Sequence, residues 1–89
     1  MSNKLKGNRL SSFSIRQLAM ECLIDWGGWA RVHYSAKPYL SAMMDLTTVR
    51  DRYGFDSGKS IVLYFLSNAQ SWRGEVARAV KAELKRRVK

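Results

Sequence analysis

The sequence predicts an all-α fold, a compact bundle of about four helices carrying a basic N-terminal arm. Three observations lead there. Apolar residues recur at the helical period in several separate stretches. Pro38, Gly54 and the pair Gly27-Gly28 punctuate the chain where helices break or end. No pair of strand candidates is present. With 89 residues, 46% of them hydrophobic, the chain suits one core and is too short for two.

Residues 1–12 carry Lys4, Lys6 and Arg9 among Ser, Asn and Gly, and are read as a flexible basic arm. Residues 13–89 form the helical domain. Ser14 is an N-cap candidate for a first helix over 15–33, with Ile15, Leu18, Ala19, Cys22, Trp26, Trp29 and Ala30 on one face. Gly27-Gly28 contradicts that helix locally, since each glycine costs about 1 kcal/mol against alanine. Either the helix kinks there or another backbone approaches between the two tryptophans. Pro38 suits the first turn of a second helix over 38–53, with Tyr39, Leu40, Met43, Met44 and Leu46 inward and Gly54 as its stop. Asp56 or Ser57 caps a third, over 58–68. Its run Ile61–Leu66 is apolar nearly all round and reads as a central buried helix. The last helix, over 72–88, has an apolar stripe of Val76, Ala77, Val80, Leu84 and Val88. Arg78, Lys81, Lys85 and Lys89 lie opposite at i, i+3, i+7 and i+11.

Charge narrows the function. Sixteen Lys and Arg stand against seven Asp and Glu, for a net charge of +9, which favours an anionic partner. From Arg73 onward the chain holds Arg73, Arg78, Lys81, Lys85, Arg86, Arg87 and Lys89 against Glu75 and Glu83. Such a ladder suits phosphate oxygens, because each contact releases condensed counterions. The same residues also serve as a solvated face whose cations complement the helix dipole, with Glu83 paired to Arg86 or Arg87. The expected nucleic-acid surface is therefore Arg73, Arg78, Lys81, Lys85, Arg86, Arg87 and Lys59, extended by Lys4, Lys6 and Arg9. Most of the aromatic residues sit at core spacing. Trp72, beside Arg73 at a helix start, is the one expected to stack on a base.

Chemistry at the residues argues against an enzyme. Asp56-Ser57-Gly58-Lys59-Ser60 suggests a phosphate loop, but Gly54 is one residue too close to Gly58 for that motif. It reads as a loop and helix cap, with Lys59 left to touch a phosphate through exposed N–H groups. Cys22 and His33 are the only Cys and His, too few for a structural zinc site and three turns apart on one predicted helix. Cys22 reads as a small core hydrophobe and His33 as a helix-end residue. The carboxylates are scattered, with no acid/base dyad. No cofactor is expected. The single cysteine, the absence of an apolar leader and the short longest apolar run point to the cytoplasm. A homodimer is compatible with a chain of this length.

Trp26-Gly27-Gly28-Trp29-Ala30-Arg31 resembles the W-G-x-W-x-R signature of the bacteriophage antitermination Q-type proteins. Residues 53–58, 64–69 and 72–75 resemble small phage and prophage proteins of the same genomic neighbourhood. The resemblance implies a phage-encoded regulator in the host cytoplasm, acting on DNA and host RNA polymerase in antitermination or late-gene control. Q-type proteins are generally longer and carry a helix-turn-helix or zinc-bearing region that is missing or abbreviated here. The alternative is a protein-interaction factor that binds an acidic surface of a host protein, such as the polymerase or a defence enzyme. Attachment of the last helix to anionic lipid ranks behind both, because its apolar side lacks aromatic anchors.

Overall fold

Ser14 opens the first long helix as its sequence suggests. In the computed structural model, which describes residues 7–89, helix α2 runs Ile15–Trp26 after a single helical turn, α1, at Gly7–Leu10. The Ser14 hydroxyl accepts from the Gln17 N–H, and the Gln17 side chain accepts from the Ser14 N–H. This capping box satisfies two N–H groups at the helix start.

The first helix is shorter than expected, and Gly27-Gly28 explains why. Gly27 adopts φ 106°, a left-handed conformation that glycine reaches without penalty. The Gly28 N–H donates back to the Leu23 carbonyl at 2.9 Å, closing the helix end in a Schellman arrangement. The pair is thus a helix stop and not a notch for another backbone, since a Cβ on Gly28 would meet nothing within 4 Å and one on Gly27 only the Arg31 side chain. Residues beyond it form turns, which leaves Trp29 and Ala30 exposed and His33 outside any helix.

Helix α3 spans Lys37–Met43, with Pro38 in its first turn. It stops ten residues before the expected Tyr53. Asp51 folds back so that its carboxylate accepts from the Thr47 and Thr48 N–H groups at 2.7 and 3.1 Å, and two short strands follow. Strand β1 (Arg52–Tyr53) pairs antiparallel with β2 (Asp56–Ser57). Gly54 is therefore the turn of a hairpin and not a helix stop. Helix α4, Gly58–Ser67, starts under Ser57, whose hydroxyl accepts from the Ser60 N–H. Helix α5 occupies Glu75–Arg87, so Trp72 precedes it.

Among the described residues four helices of seven residues or more thus surround one core, and the all-α expectation holds apart from the small hairpin. Helix α2 packs chiefly on α5, and α3 on α4. Ile15, Leu18, Leu40, Met43, Val62, Phe65, Val80 and Leu84 are fully buried. Each large apolar side chain contributes about 1.5–3 kcal/mol relative to exposure. Helix α4 buries only one face, because Leu63 and Tyr64 are exposed. Residues 9–12 also depart from the flexible arm. Leu10 is 1% exposed, so the chain is anchored there. Lys4 and Lys6 lie outside the described residues.

Candidate nucleic-acid interface

Helix α5 sorts its cations into two groups. Arg86 and Arg87 both pair with Glu83, a carboxylate only 4% exposed. Arg87 also reaches across to the N-terminal segment. Its Nη2 donates to the carbonyls of Leu10, Ser11 and Phe13 at 3.1, 3.3 and 2.8 Å. Arg87 is thus a structural clamp, and it leaves the expected binding set. Charge patterning showed the Glu83 pairing but not its burial. Glu83 sits beside the apolar stripe, where only the angular position on the helix separates it from solvent.

The outward group is Arg78, Lys85 and Lys89, all exposed. Successive residues rotate by about 100°, which places Arg78 and Lys85 within roughly 20° of one another on the surface of α5, while Lys89 follows just past the helix end. Arg86, exposed but paired, flanks them. None of the three enters an ion pair among the described residues. Arg73 is exposed just ahead of the helix.

Lys81 bridges the two groups. Its Nζ donates to the Trp72 carbonyl at 2.7 Å and sits 5.7 Å from the Trp72 ring centroid, within range of a cation–π contact. Partial burial lowers its pKa, with Lys85 and Arg73 acting in the same direction and Cys22 opposing them. Arg73, Arg78 and Lys81 line one open depression of about 540 Å³, with Gln70, Trp72, Gly74 and Ala77 completing its wall. Gly74 offers no side-chain cap to α5, and Glu75 supplies the acidic residue of its first turn.

Trp72 is not a stacking platform. It is 2% exposed, lies 5.7 Å from Trp26 with ring planes 12° apart, and donates from Nε1 to Asp25 at 2.9 Å. Its polar handle is satisfied, so burial carries no penalty. The start of α4 is likewise closed to phosphate. The N–H groups of Gly58, Lys59 and Ser60 donate to Asp51 O, Val49 O and Ser57 Oγ. The Lys59 side chain itself is exposed, as is that of Arg9.

No protein-family model, curated protein or solved structure matches the chain. The site therefore has to be read from its own chemistry.

Burial pushes the Cys22 thiol up to about 12, and the Asp25 carboxylate acts in the same direction, so the thiolate needed for nucleophilic attack is scarce near neutrality. His33 is exposed, bonded through Nδ1 to Ser35 at 2.8 Å and stacked on Tyr34. The helix break at Gly27 therefore does not bring a Cys–His pair together. Among the described residues no group of three or more His, Cys, Asp or Glu could hold a metal ion. No helix among them is long and apolar enough to cross a membrane.

Proposed function

We propose that the protein binds nucleic acid through the outer face of α5, with Arg73, Arg78, Lys81 and Lys85 as the body of the interface. Arg86 and Lys89 continue it toward the C-terminus, and Lys59, Arg9, Lys4 and Lys6 add peripheral charge. The observation that carries this reading is the cluster of cations without carboxylate partners along one helix face and into one depression. Arg78 to Lys85 spans about 10 Å at 1.5 Å per residue, close to three base-pair rises of duplex. A solvated face would not require Arg73, Arg78 and Lys81 to converge, and convergence costs mutual repulsion that an anion relieves. The resemblance to phage regulators supports a role in antitermination or late-gene control, with DNA as the nucleic acid and host RNA polymerase as a further partner.

Titration of labelled duplex and single-stranded oligonucleotides at several salt concentrations tests the proposal. Neutralisation of four phosphates on a duplex gives a slope of log K against log salt of about −3.6. Arg78→Glu with Lys85→Glu should weaken binding by a similar factor for every sequence and flatten that slope. Salt-independent binding, or none, refutes the reading. Retention of an acidic host protein after nuclease treatment, with no oligonucleotide binding, favours the protein-interaction alternative.

A further inference from the structure

The hairpin of β1 and β2 presents a side chain for which the fold has no use. Arg52 faces Ser57 and Tyr53 faces Asp56, which leaves Gly54 and Phe55 as a two-residue loop. Gly54 has φ 63°, and among the described residues none other than glycine has positive φ. This is the pattern of a type II′ turn, in which the first loop residue must be glycine and the second is free. The turn therefore makes no demand for Phe55, and Phe55 is 101% exposed. Its apolar surface contributes nothing to the core and is available only to a partner.

The tip is also held in place. Arg52 Nη1 donates to the Phe55 carbonyl at 3.1 Å, bracing the loop across its own strand. At the base of the hairpin, Gly58 N–H donates to Asp51 O and Lys59 N–H to Val49 O, at 2.6 and 3.0 Å. A continuous set of contacts links this base to the end of α5. Asp51 holds the Thr47 N–H, the Thr47 carbonyl accepts from Ile15, and Arg87 grips Phe13. These contacts tie the base of the hairpin, through the start of α2, to the segment that Arg87 holds.

Charge decides what meets it. Arg52 contacts the loop, and Arg50 and Lys59 flank the hairpin in sequence, all three exposed. Of the two nearby carboxylates, Asp51 is committed to backbone N–H groups, leaving Asp56 as the opposing charge. A planar aromatic ring among cations matches a nucleobase flanked by phosphates, since stacking accepts any base and the cations take the backbone. We infer that Phe55 is a stacking wedge that contacts a nucleobase while α5 holds the phosphates. This inference rests on the nucleic-acid reading of α5.

The test compares the full-length wild type with Phe55→Ala and Phe55→Trp on oligonucleotides carrying 2-aminopurine, whose fluorescence reports base stacking. Phe55→Ala should weaken binding about ten-fold, within the range that base–aromatic stacking supports. It should remove the 2-aminopurine response and leave the salt slope unchanged, because no charge is lost. Phe55→Trp should preserve both affinity and response. Thermal unfolding should show all three proteins equally stable. Wild-type binding that Phe55→Ala leaves unaltered overturns the wedge while the α5 interface stands. Failure of the wild type to bind any oligonucleotide overturns both. Loss of a captured host protein on Phe55→Ala, with oligonucleotide affinity intact, assigns the tip to a protein and also overturns the wedge.

Discussion

Glu83→Gln separates the two roles of cations on α5. Glu83 is nearly inaccessible and holds two guanidinium groups, one of which is itself largely covered. The side chains of Arg86 and Arg87 are 60% and 22% exposed. The Arg86 contact, open to water, is worth at most about 1 kcal/mol. The Arg87 contact is a hydrogen bond between charged groups in a mostly dry setting, worth about 1.5–3 kcal/mol. Glutamine keeps the shape and one acceptor, so no cavity opens, and the net loss should be about 2 kcal/mol. For a domain of this size each kcal/mol moves Tm by roughly 4–8 °C, which predicts a fall of about 8–16 °C. Calorimetry or circular dichroism measures it. Hydrogen exchange should show the amides around Leu10 opening first, because Arg87 loses the partner that aims it at those carbonyls. The same substitution releases Arg86 and raises the net charge by one, so oligonucleotide affinity at a temperature where the variant is folded should hold or rise. A Tm change under about 3 °C would refute the clamp. A loss of affinity in the folded variant would refute the division of the cations into structural and binding groups.

Two further predictions concern the hairpin and its seat. A Cβ on Gly58 would lie 2.9 Å from the Thr48 carbonyl oxygen and 3.0 Å from Val49 Cα. Gly58→Ala must therefore push backbone against backbone, at a cost of about 1–3 kcal/mol, seen as a lower urea midpoint. The Asp51 carboxyl is held below its usual pKa chiefly by the Thr47 and Thr48 N–H groups. A depressed folded-state pKa gives stability that is present above the unfolded-state value and lost as pH falls through the folded one. Unfolding followed from neutral pH into acid should therefore show Asp51→Ala less stable at neutrality and less sensitive to acid than the wild type.

The helices were legible where a local rule operates. Ser14, Pro38 and Ser57 announce starts through cap and ring chemistry that depends on nearby residues alone. The missed ends arise from competition between local rules and longer contacts. The apolar period continues past Gly27 to Trp29 and Ala30, yet two successive glycines outweigh it and turn the chain. Leu46 is buried as its period demands, but on a turn and not on the expected helix. Asp51 offers the Thr47 and Thr48 N–H groups an acceptor that a continuing helix would not use. Trp72 was misplaced for a related reason. Its partner Asp25 is 47 positions away, a separation that no spacing rule reaches. Phe55 went unnoticed although Tyr-Gly-Phe-Asp contains the signal, a glycine at the first loop position of a two-residue turn.

The division of charge on α5 has a consequence for how the surface works. An arginine used as Arg87 is used, against three carbonyls and a buried carboxylate, fixes the position of the helix that carries the free cations. The outward residues Arg78 and Lys85 then sit on a rigid element, so anion binding meets an arrangement already ordered and loses less freedom on association. Were Arg87 also part of the phosphate grip, binding would compete with the contact that anchors residues 10–13, and affinity and stability would trade against each other. Separate residues remove that conflict. Substitutions on the outward arc should therefore change binding at nearly constant Tm, whereas those at Glu83 and Arg87 should change Tm with little direct effect on binding.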